Sequence, residues 1–271
     1  MRKMKRKSYY SILAIIAVLY LIFIAVDIIY ESNDVPVIKA PNSTLIASVK
    51  DKDEVLLEGV VAEDKEDGDL TDEVFIENIS EFNSQKERTI TYIVIDKDNG
   101  IARTSRMLKY SDYKEPEIYI KKPLVVDNYG AYSSPESYVG ARSVVDGNLS
   151  DKVSLDALVE NEDNTYASYY VTDSCGIRTD IKLNFTRLNN NPNIKIKLTD
   201  YMVRVKKGTD INPRKYLKSV NENGIENKND FSSIRVKDNY NKNKPGIYEF
   251  IYDIARSNGN FGLTKLVVVV E

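Results

Sequence analysis

Residues 67–74 read Asp-Gly-Asp-Leu-Thr-Asp-Glu-Val, and residues 146–153 repeat them as Asp-Gly-Asn-Leu-Ser-Asp-Lys-Val. Seven of the eight positions keep their chemical character over this distance of 79 residues. A second phrase recurs 77 residues apart, since Tyr-Ile-Val-Ile-Asp at positions 92–96 returns as Tyr-Tyr-Val-Thr-Asp at positions 169–173. Two phrases that recur at nearly one period indicate a tandem array of similar domains.

The starts of the repeats are marked by the pattern Pro-x-Ile. It occurs at positions 36–38, 116–118 and 192–194. Proline suits the first position of a strand because it has no N–H to donate to the sheet. The pattern therefore predicts three domains, which cover residues 35–111, 115–189 and 192–271.

Strand and turn signals follow one another closely inside each repeat. In the first repeat, residues 55–62 are predicted as a strand and residues 89–95 alternate as a half-buried strand. Residues 97–100 read Lys-Asp-Asn-Gly, a hairpin signal, and residues 101–110 close the repeat. Helical periodicity is absent outside the N-terminal segment. The predicted fold class is all-β, with three tandem β-sandwich domains after one N-terminal transmembrane helix.

The N-terminal segment has the charge and hydropathy of a membrane anchor. Residues 1–8 carry five Lys or Arg side chains, and residues 11–26 are uncharged and almost wholly apolar. A helix over residues 9–30 is long enough to span a bilayer, and the basic segment predicts a cytoplasmic N-terminus with the domains outside. A cleaved signal peptide is the alternative. The long apolar run and the lack of an Ala-x-Ala site favour an uncleaved signal-anchor.

The composition excludes several kinds of chemistry. The chain has no His, one Cys and a net charge of −3. This rules out His-based catalysis, zinc sites built from His or from several cysteines, and an intrachain disulfide, and it gives no basic surface for nucleic acid. No nucleophile motif is present either. We therefore predict that the protein is not an enzyme and has no cofactor.

The motifs also resemble a known family. After the Pro-x-Ile opening, residues 62–71 read Ala-x-Asp-x-Glu-Asp-Gly-Asp-Leu-Thr, and residues 244–248 read Lys-Pro-Gly-Ile-Tyr before the Gly259-Asn260 turn. This order resembles the bacterial immunoglobulin-like repeat found in tandem on Gram-positive surface proteins and in insecticidal crystal toxins. The resemblance implies immunoglobulin-like sandwiches with a structural or adhesive role and no activity. The sequence departs from the family at Arg256, where Asp is usual, and at Cys175, where Ala is usual.

An acidic loop in the first repeat is the candidate metal site. It contains Asp64, Glu66, Asp67 and Asp69. Calcium takes six to eight oxygen ligands, and dense carboxylates could supply some of them, although the spacing differs from that of an EF-hand. The competing interpretation is that these side chains form turns and caps.

The tyrosines offer a candidate contact surface. Tyr129, Tyr132 and Tyr138 cluster in a loop rich in Gly, Ser and Pro, and loops of this kind often carry binding residues. The strand tyrosines Tyr92, Tyr169, Tyr248 and Tyr252 are expected to pack between the sheets or across neighbouring strands, the alternative being exposed rings that stack on sugars. Asp96 and Asp173, at matched positions before their turns, are expected to cap those turns.

The predicted function follows from location and architecture. We expect a membrane-anchored bacterial cell-surface protein whose extracytoplasmic rod serves binding, adhesion or scaffolding. Its partners would be the membrane, through the N-terminal helix, and a surface protein, glycan or cell-wall component. The alternative is a sensory, regulatory or assembly subunit of a membrane complex.

Overall fold

The computed structural model of the chain describes residues 2–31, 35–127, 135–160, 165–188 and 190–271. It begins with helix α1 (Arg2–Glu31), which takes in the apolar helix predicted at residues 9–30 and most of the basic segment before it. The stretch Tyr9–Val26 is long and apolar enough to cross a membrane, and none of it is buried within the protein.

The first sandwich consists of two sheets whose strands are mostly antiparallel. One sheet has the order β1-β3-β4 and the other the order β2-β7-β6-β5. The elements are β1 (Val37–Lys39), β2 (Leu45–Ala47), α2 (Asp53–Leu56), β3 (Val61–Asp64), β4 (Gly68–Asp69), β5 (Phe75–Ile79), β6 (Arg88–Ile95) and β7 (Ile101–Tyr110).

The second sandwich repeats this plan. Its sheets have the orders β8-β10-β11 and β9-β14-β13-β12. The strands are β8 (Glu117–Ile120), β9 (Val125–Asp127), β10 (Val139–Ser143), β11 (Gly147–Asn148), β12 (Ser154–Glu160), β13 (Thr165–Thr172) and β14 (Arg178–Leu188).

The third sandwich has sheets of the orders β15-β17-β18 and β16-β21-β20-β19. The strands are β15 (Ile194–Leu198), β16 (Met202–Val205), β17 (Leu217–Glu222), β18 (Ile225–Asn227), β19 (Arg235–Asp238), β20 (Gly246–Ala255) and β21 (Phe261–Val270). One-turn 3-10 helices lie at Thr71–Glu73, Pro135–Tyr138, Ser150–Lys152 and Pro213–Tyr216.

The path of the chain makes these sandwiches immunoglobulin-like. The first strand of each pairs antiparallel with the third strand, and the second strand pairs parallel with the last one. The chain therefore crosses between the two sheets near its start and ties them together. The predicted fold class is confirmed, with three tandem sandwiches after an N-terminal apolar helix.

One predicted strand is wrong. Residues 55–62 form the end of α2, a turn at Gly59 with φ of 78° and the start of β3. Asp53 and Glu54 lie in the first turn of α2, where negative charge is favourable. Two buried side chains, Tyr92 and Arg106, donate hydrogen bonds to the carbonyl of Leu56. These tertiary contacts outweigh the β propensity of the apolar residues.

The tyrosines at the centre of the long strands pack between the sheets, as expected. Tyr92, Tyr169 and Tyr252 are fully buried at matching positions. The hydroxyl of Tyr92 donates to the carbonyl of Leu56 at 2.7 Å, and that of Tyr252 donates to the carbonyl of Pro213 at 2.7 Å. Both carbonyls belong to the helical turn between the second and third strands, so the tyrosine fixes that turn onto the sandwich.

The chain divides into two compact units, residues 1–112 and 113–271, and the second unit contains two sandwiches. Val267 of β21 is buried in the core of the second sandwich, and Tyr201 and Met202 pack against the same core. The fully buried Lys265 donates a hydrogen bond to the carbonyl of Asn184 in β14. Apolar packing and a buried charge therefore join the second and third sandwiches.

Candidate functional site

The turn that joins the last two strands lies at the same end of each sandwich. In the first sandwich Asp96 Oδ1 accepts from the N–H groups of Asp98, at 2.9 Å, and Gly100, at 2.7 Å. In the second sandwich Asp173 Oδ1 accepts from the N–H groups of Cys175 and Ile177 at 2.9 and 3.0 Å. The expected capping role of both aspartates is confirmed.

The outer oxygens of these two aspartates differ in their surroundings. Asp173 Oδ2 accepts a hydrogen bond from the Tyr113 hydroxyl at 2.7 Å, whereas Asp96 Oδ2 is buried and has no partner within the described part of the chain. Burial, followed by this hydrogen bond, raises the pKa of Tyr113 far above its usual value. Tyr113 thus anchors the start of the second unit to its own sandwich.

The acidic loop of the first sandwich lies against this turn. Asp67 binds Lys97 through both oxygens, at 2.7 Å to Nζ and 2.9 Å to the backbone N–H, and these hydrogen bonds lower the pKa of Asp67. Asp64 Oδ1 accepts from the N–H groups of Glu66 and Asp67 at 2.8 and 2.9 Å. Asp69 Oδ1 accepts from the N–H of Thr71 at 2.9 Å. Most of these carboxylates therefore serve local structure.

The predicted metal ligands keep few oxygens for an ion. Asp64 Oδ2 is buried and unpaired within the described ranges, and Glu66 is exposed. Across those ranges, no three His, Cys, Asp or Glu side chains form a group that could hold a metal ion. Calcium binding by this loop stays a hypothesis from the sequence.

Of the three tyrosines in the predicted contact surface, the structure describes Tyr138. Tyr129 and Tyr132 lie outside the described residues. Tyr138 ends a helical turn and packs edge-to-face on Phe185 with ring centroids 5.2 Å apart. The Lys122 ammonium lies 5.7 Å from the centre of the Tyr138 ring. Tyr138 therefore contributes to the core of the second sandwich as well as to its surface.

Two other tyrosines face outward on β13, and cations cover their rings. The Lys182 ammonium lies 3.4 Å from the centre of the Tyr166 ring, and the Arg178 guanidinium carbon lies 3.8 Å from that of Tyr170. Arg178 also pairs with Asp180 at 2.5 Å. This face is therefore held by contacts within the sandwich, and its rings are not open for stacking on a ligand.

The third sandwich carries a groove that sequence reasoning missed. The groove is open to solvent, has a volume of about 510 Å³ and is lined by the β17–β18 hairpin, the following loop and Arg256. The hairpin turns at Asn223 and Gly224, which have φ of 52° and 84°. This Asn-Gly pair is a strong hairpin signal, and it would have located the longer hairpin in the sequence.

The groove combines acidic, amide and basic groups. Glu222 accepts from Arg256 Nε at 3.3 Å and from Asn260 Nδ2 at 3.3 Å. Asp230 Oδ1 accepts from the Ser232 N–H at 2.9 Å, and hydrogen bonding from Ser232, aided by the charge of Arg256, lowers the pKa of Asp230. The groove therefore combines the carboxylates of Glu222 and Asp230 with the guanidinium of Arg256.

Comparisons with known proteins give only distant structural likenesses. A scan of family models and a search of curated proteins find no match. A Clostridium perfringens ZmpB structure, with its M60 catalytic domain and CBM51-1 and CBM51-2 domains, is 10% identical over 87% of this chain and 30% of its own, with a TM-score of 0.23. Human CDH23 EC21-23 is 11% identical over 87% of this chain and 100% of its own, with a TM-score of 0.22.

Drosophila N-cadherin EC1-4 is 10% identical over 86% of this chain and 74% of its own, with a TM-score of 0.23. The chain spans less than half the length of the clostridial structures that it matches. Likenesses at these identities and TM-scores carry no argument about function.

Proposed function

We propose that the chain is a membrane-anchored cell-surface protein whose sandwiches lie outside the cytoplasm and bind or hold a surface protein, glycan or wall component. The observation that carries this proposal is the order of elements, in which an apolar helix precedes three tandem sandwiches. The basic residues before the apolar stretch favour a cytoplasmic N-terminus. We further propose that the sandwiches belong to the bacterial immunoglobulin-like repeats that the motifs resemble.

A binding role is supported over a catalytic one by the kinds of side chain present. The chain has no His, and the single Cys175 is buried beside a turn. Each of the three sandwiches contains a buried apolar cluster, and Val267 of the third sandwich also contributes to the cluster of the second. Small sandwiches of this kind act as spacers and as carriers of binding surfaces.

Site-directed labelling tests the location and orientation. Arg2→Cys and Asn258→Cys place a thiol on either side of the apolar helix, and Cys175 is buried, so it gives a low background. With a membrane-impermeant maleimide we expect Asn258→Cys to react on intact cells and Arg2→Cys to react only after permeabilisation. Labelling of both variants on intact cells, or of neither, contradicts the proposed orientation. A mature chain that lacks residues 1–30 would instead identify a cleaved signal peptide.

A retention experiment tests the binding role. The full chain in detergent is passed separately over purified cell walls and over solubilised membranes of the source organism. Retention on walls supports an adhesive role. Capture of one defined membrane protein without retention on walls would replace that role with the regulatory or assembly-subunit function.

A further inference from the structure

The groove of the third sandwich lies between a hairpin and the turn before the last strand. In the other two sandwiches a direct contact closes the corresponding position. In the first sandwich Asp67 of the hairpin loop binds Lys97 of the turn, and in the second Asp146 Oδ2 accepts from the Ser174 N–H at 3.0 Å. These short carboxylate contacts draw the hairpin loop against the turn. In the third sandwich the corresponding turn begins with Arg256, and its contact is with Glu222.

A longer hairpin opens this position. The hairpins β3–β4 and β10–β11 each have two paired positions, whereas β17–β18 has three. The side chain of Ile225, at the start of β18, is 77% exposed beside the groove. The corresponding end is closed by a carboxylate contact in the first and second sandwiches and forms an open groove in the third. The β-sandwich fold itself therefore does not require the groove.

We propose that this groove binds a neutral, hydroxyl-rich ligand, that is, a carbohydrate of one or two sugar rings at a time. The inference rests on the proposed binding role and names the site and the ligand class for it. A volume of about 510 Å³ lies within the range of small-ligand sites. Sugar hydroxyls both donate and accept hydrogen bonds, and the groove contains both acceptor and donor groups.

The polar groups of the groove suit vicinal hydroxyls. The carboxylates of Glu222 and Asp230 accept hydrogen bonds, and Asn223 and Asn227 provide amides. Arg256 contacts Glu222 through Nε, so its two terminal NH2 groups can donate to a ligand. Two carboxylates against one guanidinium disfavour an anionic ligand. The exposed Ile225 supplies an apolar contact for the C–H face of a ring.

Calorimetric titration of the full chain in detergent micelles tests the proposal. The probes are the tetramers of N-acetylglucosamine, β-1,4-glucose, α-1,4-glucose and mannose, with polygalacturonate as the anionic comparison. We expect at least one neutral tetramer to bind and polygalacturonate not to bind. Arg256→Ala and Ile225→Ser should each weaken that binding, Arg256→Ala by about tenfold or more, since it removes a charged hydrogen-bond donor.

The controls separate loss of the site from loss of the fold. Ile225 is exposed, so Ile225→Ser leaves the core unchanged, and thermal unfolding of each variant checks this. Lys97→Ala removes the turn cation of the first sandwich and should leave affinity unchanged. Absence of binding to all four neutral tetramers by the folded chain overturns the proposal, as does preferential binding of polygalacturonate.

Binding that both groove variants leave unchanged would also overturn the assignment, because the carbohydrate would then bind elsewhere. In that case the proposed binding role still stands. Failure of retention on both walls and membranes counts against the proposed role itself, so the two failures are distinguishable.

Discussion

The ammonium group of Lys265, in the third sandwich, donates a hydrogen bond to the carbonyl oxygen of Asn184, in the second. It also pairs with Glu249 Oε1 at 2.9 Å. Lys265 is 1% exposed, and its burial lowers its pKa, while the charge of Glu249 acts in the opposite direction. A buried lysine of this kind needs both partners, so it ties the second sandwich to the third.

Replacing Lys265 by Met should therefore destabilise both sandwiches of the second unit. The substitution leaves the partly buried Glu249 carboxylate without its cation, and breaking a buried ion pair from one side costs up to about 3–5 kcal/mol. Cys175, in the second sandwich, is buried, so its labelling rate reports the opening of that sandwich. We expect Lys265→Met to accelerate labelling of Cys175 in the full chain under native conditions.

A double substitution and a surface pair complete this experiment. Lys265→Met with Glu249→Leu should recover much of the loss, because it removes both charges together. Arg103→Met breaks the exposed pair with Glu77 in the first unit and should leave the labelling of Cys175 unchanged. If Lys265→Met does not change that rate either, the two sandwiches open independently.

The buried tyrosine hydroxyls give a graded prediction. Tyr252→Phe removes the hydrogen bond to the Pro213 carbonyl and should cost about 1–3 kcal/mol, as for a buried acceptor left unpaired. Tyr92→Phe should cost less, about 1 kcal/mol, because Arg106 still donates to the Leu56 carbonyl at 3.1 Å. Urea unfolding of the full chain in detergent measures both values. A larger cost for Tyr92→Phe would contradict this order.

Sequence patterns predicted the strands well because each sandwich buries one face of each long strand. The alternation at residues 89–95 and the Asn-Gly turn correspond to β6 and its hairpin with β7. The aspartates before the turns were predicted correctly because they bond within four residues of themselves. Such local signals need no knowledge of distant neighbours.

Features set by distant contacts could not be predicted in this way. Alternation places Lys265 on a strand whose neighbours are apolar, but its burial depends on β14, about eighty residues earlier in the chain. The end of α2 likewise depends on Tyr92 and Arg106. The groove depends on the distance between a hairpin and a turn, and only the Asn223-Gly224 turn left a local signal.

Alkaline titration tests the burial of the strand tyrosines. Burial raises the pKa of Tyr169 and Tyr252 well above the ordinary value of 10. The folded state then holds protons that the unfolded state loses, so this contribution to stability is complete below pH 10 and is lost as the pH rises above it. The pKa of Lys265 is lowered, so its effect on stability has the opposite sign. Its contribution to the free energy of unfolding rises with pH up to the ordinary pKa of 10.5.

The chain has 19 Tyr and no Trp, so tyrosinate absorbance gives a clear signal. We expect exposed tyrosines to titrate reversibly near pH 10 and the buried ones to ionise only together with loss of circular dichroism. Tyr252→Phe should change only the second phase, which accompanies unfolding. Titration of all the tyrosines in one phase, with the fold intact, would contradict the buried positions.

Calcium should leave stability unchanged if the acidic loop serves its own turn. Asp67 binds Lys97, and Asp64 and Asp69 accept backbone N–H groups, so few oxygens remain for an ion that takes six to eight. We expect equal melting temperatures for the full chain in calcium and in chelator.

Asp67→Asn should lower the melting temperature equally in calcium and in chelator. The substitution removes the ion pair with Lys97, and that pair does not depend on a bound metal ion. The matched change Asp146→Asn in the second sandwich should behave in the same way, since Asp146 contacts Ser174 across the corresponding turn. The lowered pKa of Asp67 adds a pH dependence, in which its contribution is present above the ordinary value of 3.8 and is lost as the pH falls below it. A rise in melting temperature with calcium that Asp64→Asn or Asp67→Asn abolishes would establish the metal site instead.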